Sequence, residues 1–406
     1  MKKQLLSFFF SGIVFLYCEQ AFAQWTPQVS GTLQNLYSVC GTSTFQAWAT
    51  GSGGTIRTTS DGGQNWTGQT SGTGETLFEV CMLDASNGWI SGGNGTILKT
   101  TDGGLNWNPQ TSGTNNTLWC IYFINSADGW ACGAGGTILH TTDGGVNWNP
   151  QASNFGGNLW TVRFVSATEG WMTGDSSKIL HTSDGGTNWT PQTCPVTNTV
   201  LWSVCMDNSP MGVISGDNGL VLHTYDGGVN WVQQNSGTSN FLHWIASPQY
   251  LFGGIYYAVG GNGTIRLSTD GGLTWTSQNS PTNQHLRSFW ASAPLDIFGW
   301  AVGEGGVILR VEQPLSVNSV THAGIPVSVS PNPFAETTRI TITDPQRNQT
   351  ANSVLSVYNI AGELLAAYTF SGNDFELARK NLPAGMYFLQ LEQNGATVWN
   401  GKLVAE

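Results

Sequence analysis

Positive charge is scarce in this chain. Only 14 lysines and arginines stand against 25 acidic residues, giving a formal net charge of −11 over 406 residues. The stretch 24–312 is the extreme case, with 7 basic and 17 acidic residues. A nucleic-acid backbone or an anionic membrane surface is held by clustered cations, so neither is an expected partner. Long apolar runs are also missing: beyond the first residues no segment approaches 18 apolar positions, so no transmembrane span is expected in the mature chain. No CxxC, HExxH, phosphate-binding glycine loop or calcium-loop string occurs, and neither a metal nor a cofactor is expected. Helical stretches between strands are absent too, which excludes TIM barrels and doubly wound α/β folds.

Residues 1–23 have the form of an export signal. Lys2 and Lys3 precede an apolar run from Leu5 to Leu16, and Ala21-Phe22-Ala23 supplies a small-x-small cleavage pattern, so Gln24 is the expected mature N-terminus. Cys18 follows bulky Tyr17 where a lipoprotein signal has a small residue. Six cysteines remain: Cys40, Cys81, Cys120, Cys132, Cys194 and Cys205. Export permits disulfides, but Cys40, Cys81 and Cys205 share one repeat position on an inner strand, where a small apolar filler is the simpler reading.

What the chain has in abundance is glycine and tryptophan, 53 and 18 residues. They recur in a fixed register. The string Thr/Ser-x-Asp-Gly-Gly-x-x-Trp occurs six times, with its aspartates at Asp61, Asp102, Asp143, Asp184, Asp226 and Asp270, spaced by 41, 41, 41, 42 and 44 residues. Its tryptophans are Trp66, Trp107, Trp148, Trp189, Trp231 and Trp275. Each unit holds four short strand candidates, for example Leu118 to Phe123, Gly129 to Gly133, Thr137 to Thr142 and one beginning at Trp148. Four strands in about 41 residues is one propeller blade.

A seventh unit, from about Leu286, matches the second and third strands but has Gln313 and Pro314 where the Asp-Gly turn would be. The missing outer strand is found at the other end of the chain. WTPQVSGTLQNLYSV from Trp25 agrees with WTGQTSGTGETLFEV from Trp66 at eight of fifteen positions. The expected fold is therefore all-β: a seven-bladed β-propeller over 24–312, closed by its N-terminal strand at 24 to about 28, so that the ring has no free sheet edge. A linker at 313–324 and a small C-terminal β-sandwich at 325–406 follow.

In the repeated turn, Asp can accept backbone N–H bonds, the glycines can take positive φ, and the Trp can pack across the hairpin; a carboxylate repeated at every blade is structural before it is chemical. TSDGGQNW, TTDGGLNW and TTDGGVNW resemble the Asp-box, or bacterial neuraminidase repeat. The wider GWAxGxxGTILxTxDGGxNW unit resembles the propeller of photosystem II assembly factors and their non-photosynthetic bacterial relatives. That resemblance implies a protein-binding propeller with the Asp-box in a hairpin between the outer strands. In 325–406, Pro331-Asn332-Pro333-Phe334, Val357-Tyr358-Asn359-Ile360-Ala361-Gly362, Leu382-Pro383-Ala384-Gly385-Met386-Tyr387-Phe388 and Lys402-Leu403-Val404 resemble a type A C-terminal sorting domain of the type IX secretion system of Bacteroidetes. This implies export through the periplasm to the cell surface or outside, with the secretion machinery as a partner. A general sugar-binding or fibronectin-like accessory domain is the alternative reading of the same strands.

A sialidase-like site would need three convergent arginines. Arg57 and Arg266 stand where other units carry Leu98, Leu139, Leu180 and Leu222, and Arg163 stands in the column of Cys81 and Cys205; these columns form no such triad. Glu79 is a lone acid in an inner-strand column otherwise holding Cys120, Thr161, Ser203, Trp244 and Ser288, and glycosidase chemistry needs two carboxylates. Arg57, Glu79, Arg163 and Arg266 are thus candidate binding or channel residues, and no catalytic residue is assigned. Asp175 and Asp217 read as solvated turn residues. His140, His181 and His223 share one outer position with Lys99, which fits a polar surface slot better than a metal site. The expected function is a monomeric, exported binding propeller that recognises an extracellular protein or glycan; the alternatives are an Asp-box glycoside hydrolase and a structural or adhesion component.

Overall fold

The computed structural model describes residues 24–406 apart from 207–210, 249–253, 293–295, 315–326, 331, 333–334, 343–351, 359–363, 380–381, 383–384, 394–395 and 406. The expected export signal and most of the expected linker lie outside the described residues, as do several residues of the sorting-domain motifs.

The repeat is built as four-stranded antiparallel sheets. In the third of these, Leu118–Phe123 is innermost, followed by Gly129–Gly133, Ile138–Thr141 and Asn149–Gln151. The other innermost strands are Leu36–Gly41, Leu77–Met82, Leu159–Phe164, Leu201–Met206, Leu242–Ala246 and Leu286–Ser292. Numbering these blades 1 to 7 from Leu36, innermost strands of successive blades touch, and that of blade 7 touches that of blade 1.

Packing follows the same circle. The second strand of a blade lies between two neighbours and is buried along its length, as in Gly88–Gly92 and Gly129–Gly133. Seven apolar clusters each bridge two adjacent blades. One joins Trp130 and Ile138 of blade 3 to Val162 and Met172 of blade 4. Burial between sheets on both faces is why the strands lack a clean polar–apolar alternation.

Blade 7 takes three strands from one stretch of chain, Leu286–Ser292, Asp296–Gly303 and Ile308–Pro314. Its outermost strand is Gln24–Gln28, antiparallel to the third with Gln24 opposite Glu312 and Gln28 opposite Ile308. Trp25 is buried against Tyr257 and Phe289, with ring centroids 6.0 and 5.7 Å away. The third strand runs through Gln313 to Pro314 instead of turning at 313, and Pro314 stands opposite Asp296 at the strand end. Proline lacks an N–H, and the other prolines in the described propeller strands, Pro27, Pro109, Pro150 and Pro191, lie in outermost strands that pair on one side alone.

The strand pairings give each blade two ends. At one end lie the start of the innermost strand and the turn between the second and third strands, Ser52–Gly54 in blade 1. At the other lie the first hairpin and the Asp-box turn, which meet where the Gly62 N–H donates to the Phe45 carbonyl at 2.9 Å. Every innermost strand also carries one extra residue near its start, between Leu36 and Ser38 in blade 1 and at the same place in the other six. Such a bulge re-aims a side chain out of the regular ladder.

In the C-terminal part, a sheet of Val327–Ser330, Thr337–Ile342 and Asp374–Ala378 and a second of Leu364–Phe370, Ser353–Tyr358, Gly385–Gln393 and Ala396–Ala405 share one core that includes Ile340, Leu355, Val357, Leu377 and Leu389. The strand Asp374–Ala378 was not anticipated from the sequence, because Asp374 and Glu376 break up its apolar positions, of which Leu377 alone is fully buried.

Candidate functional site at the channel mouth

The Asp-box turns are occupied with their own architecture. In blade 3 the Thr141 hydroxyl donates to Asp143 Oδ1 (2.8 Å) and accepts the Gly145 N–H (2.8 Å); Asp143 accepts the Asn147 backbone N–H (2.9 Å) and Asn147 Nδ2 (2.7 Å). The Asn147 backbone and side-chain bonds, with that from Thr141, hold the Asp143 carboxyl down at about 2. The turn also joins blades. Trp48, Trp89 and Trp130 donate their indole N–H to the Gly103, Gly144 and Gly185 carbonyls of the next blade, 3.1 to 3.2 Å away. Gln69 and Gln151 bridge in the same direction, donating to the Gly103 and Gly185 carbonyls and accepting the N–H of Trp107 and Trp189. The second glycine is required here: Gly104 has φ +86°, and a Cβ on it would run into Gln69.

The opposite end is different. The bulged residue of each innermost strand forms a column: Tyr37, Phe78, Trp119, Trp160, Trp202, His243 and Arg287 in blades 1 to 7. All seven are half-buried. The first six are rings in a continuous ladder from blade to blade, with centroid separations of 5.2, 4.5, 4.8, 4.7 and 5.0 Å. His243 Nδ1 lies 2.8 Å from the Arg287 carbonyl, and Arg287 ion-pairs with Glu304. Burial, then the Arg287 charge, depress His243 to about 3, so it is neutral.

Carboxylates orient this ladder. Trp160 Nε1 donates to Asp175 Oδ1 (2.8 Å), and Trp202 Nε1 donates to Asp217 Oδ1 (2.7 Å). Asp175 also accepts the Asn158 N–H at 3.0 Å. Both acids sit in turns between second and third strands, and the reading of them as merely solvated turn residues is corrected: each fixes a ring of the mouth. In blade 3 the equivalent turn position is Ala134, and the Trp119 N–H has no partner among the described residues.

Below the ladder the channel is crossed by Arg163. Its Nη2 lies 3.0 Å from Glu79 Oε1, reaching from blade 4 to blade 2 past blade 3. Nη1 donates to the Val162 carbonyl at 2.8 Å and lies 3.4 Å from Cys120 Sγ. The guanidinium carbon stands 5.2 Å from the Tyr122 ring centroid and 4.8 Å from that of Trp244, in blade 6. Burial pushes the Glu79 carboxyl well above the usual carboxylate range, with the guanidinium pulling against it. Burial opposes the Arg163 charge as well, but Glu79 outweighs it and holds the guanidinium above its usual range.

Of the four candidate channel residues, then, Glu79 and Arg163 meet in the channel. Arg57 and Arg266 do not join them. Arg57 Nε and Nη2 donate to the Ser30 and Trp66 carbonyls at 2.7 and 2.9 Å, and Arg266 donates to the Gly237 carbonyl. Their column belongs to third strands, remote from the axis, where a long donor ties loops together. His140 and His181 lie on Trp130 and Trp171 of their own blades, Lys99 stands 5.3 Å over Trp89, and His223 is buried. Among the described residues no group of three or more His, Cys, Asp or Glu is arranged to hold a metal. Among the described residues no cysteine is joined in a disulfide, and burial pushes the Cys40 thiol up to about 11.

A ring of seven four-stranded blades around a plugged channel defines a β-propeller of Asp-box type. Residues 70–155 and 148–239 match the family model for the photosynthesis system II assembly factor YCF48, and 328–406 match that for the secretion system C-terminal sorting domain. The chain thus carries a YCF48-like propeller domain followed by a type IX C-terminal sorting domain, which marks it for the cell surface or the exterior. Solved structures share the fold: YCF48 bound to a D1 peptide (TM-score 0.60, 21% identity, 71% of this chain and 96% of that one) and YCF48 from Cyanidioschyzon merolae (0.59, 17%, 71% and 98%). PorZ, an essential surface component of the type IX secretion system of Porphyromonas gingivalis, aligns with TM-score 0.52 at 13% identity, over 90% of this chain and 58% of PorZ. No curated protein sequence matches the chain.

Proposed function

We propose that this secreted propeller is a recognition module, which holds an extracellular protein or glycan against the aromatic mouth of its channel. The observation that carries this reading is the unbroken ladder from Tyr37 to His243, half-exposed around one opening, with two of its tryptophans held in place by carboxylates. Oriented, partly exposed aromatic rings with a few convergent polar groups are the usual composition of a binding site. The Arg163–Glu79 pair lies across the channel beneath these rings, and a ligand group seated on the rings would meet it there. The related YCF48 with a bound D1 peptide adds weight to a protein ligand.

The test is retention of surface and extracellular components on the immobilised full chain. Trp160→Ala/Trp202→Ala is compared with Leu105→Ser, on an exposed Asp-box tip at the opposite end. Specific retention lost in the first variant and kept in the second supports the proposal. Equal retention by both, with both variants folded by circular dichroism, rejects it.

A further inference from the structure

The molecule shows how it accommodates its own cations. Three propeller arginines form ion pairs with carboxylates: Arg163 with Glu79, Arg287 with Glu304 and Arg310 with Glu312. Each of the three also stands on an aromatic ring. Arg163 lies over Tyr122 and Trp244, Arg287 is 5.7 Å from the Phe241 centroid, and Arg310 is 4.7 Å from that of Phe298. A ring face attracts a cation through its quadrupole, and a nearby carboxylate adds charge; together they hold a guanidinium in a partly desolvated place.

One sector of the mouth brings rings and carboxylates together without a cation, with one face of Trp202 given to neutral His243, 5.0 Å away. Trp160 and Trp202 are adjacent rings with centroids 4.7 Å apart, and each donates its N–H to a carboxylate, Asp175 and Asp217. Among the described residues neither acid forms an ion pair, and no lysine or arginine lies over either ring. Lys178, three residues from Asp175, is turned to the Phe155 ring at 5.0 Å instead. A carboxylate accepting an indole N–H polarises the ring toward greater electron density, which favours a cation on its face, and it also fixes the ring's orientation. Neighbouring His243 is neutral, and Arg287 is already matched by Glu304, so the sector keeps an uncompensated negative charge.

We infer that the Trp160–Trp202 sector, with Asp175 and Asp217, receives a lysine or arginine side chain presented by a basic segment of a partner protein. This rests on the reading of the mouth as the recognition site. The partner is a protein because its basic side chains have the reach to enter the mouth and the charge that the acidic propeller lacks.

The experiment is calorimetric titration of the full chain with N-acetylated, C-amidated tetralysine, with the same peptide acetylated on every lysine side chain, and with chitotetraose. Tetralysine is expected to bind at least tenfold more tightly than its acetylated form. Asp175→Asn/Asp217→Asn is expected to weaken that binding at least fivefold, whereas Asp84→Asn/Asp128→Asn, which removes the same charge from the opposite end, leaves it within twofold. Equal binding of the two peptides, equal loss in both double variants, or no binding of tetralysine would overturn the inference. Binding of chitotetraose alone, lost in Trp202→Ala, would overturn it too while leaving the mouth as the recognition site; retention unaffected by Trp160→Ala/Trp202→Ala is what rejects the mouth itself.

Discussion

The two ends of the propeller are built on opposite rules. At the Asp-box end one motif recurs six times, its aspartates are held by bonds from their own turns, and three of the turns accept an indole N–H from the preceding blade. At the mouth the column changes from Tyr to Phe to Trp to His to Arg as the ring is followed, and rings and carboxylates remain half-exposed. Repetition marks what every blade needs in order to stand; variation within the repeat marks what a ligand meets. The Arg163–Glu79 pair lies between the two ends, breaking two columns at once to stop the channel.

The largest effect is expected at that pair. Arg163→Met leaves Glu79 buried without its partner and should cost about 3–5 kcal/mol in urea unfolding, while adding Glu79→Leu should recover most of it. A single-variant loss below about 1 kcal/mol would remove the pair from any part in holding the ring.

Next comes a contrast between glycines of the two ends. Gly104→Ala forces a side chain into φ +86° against Gln69 and should cost about 1–3 kcal/mol, whereas Gly156→Ala, near the mouth in open space, should be close to neutral. Equal costs at both sites would mean that the Asp-box end is no more tightly built.

Acid should then dissect the turns. The Asp143 carboxyl sits at about 2 in the fold against an ordinary 3.8, so as pH falls the unfolded chain takes up the proton first. Its stabilisation is complete above about pH 4 and is lost toward pH 2. The gap in melting midpoint between the parent chain and Asp143→Ala should therefore be constant from pH 7 to 5 and close between 4 and 2; a gap of the same size at pH 2 would show that the charge of Asp143 is not what the turn uses.

The smallest change in stability is expected at the mouth. Asp217→Asn should stay within about 0.5 kcal/mol, because an amide oxygen still accepts the Trp202 N–H. A loss above about 2 kcal/mol would make this carboxylate structural, like those of the Asp-box.

Much of the fold was legible because the Asp-box period places every third strand and every turn, and the blade 3 strands fall within a residue or two of where the spacing set them. The end of blade 7 was not, since Gln313 and Pro314 interrupt the motif without interrupting the strand. At the site, Glu79 and Arg163 were visible as outliers of their columns. Their meeting was not visible, because they are 84 residues apart in different columns and the long guanidinium passes blade 3 to reach the acid. Arg57 and Arg266 broke a column equally well, yet that column lies away from the axis. The aromatic ladder was missed although its column could be aligned by eye: tryptophan in a strand ordinarily means core, and only the bulge turns these rings toward the mouth.

The division between the two ends is tested most directly by one crossed comparison on the full chain. Trp160→Ala/Trp202→Ala and Asp143→Ala/Asp184→Ala are each measured for melting midpoint and for retention of surface and extracellular components well below both transitions. The mouth variant should lose retention with a small change in midpoint, and the Asp-box variant should melt earlier with retention intact. Loss of retention in the Asp-box variant while the mouth variant retains its ligand would contradict the account.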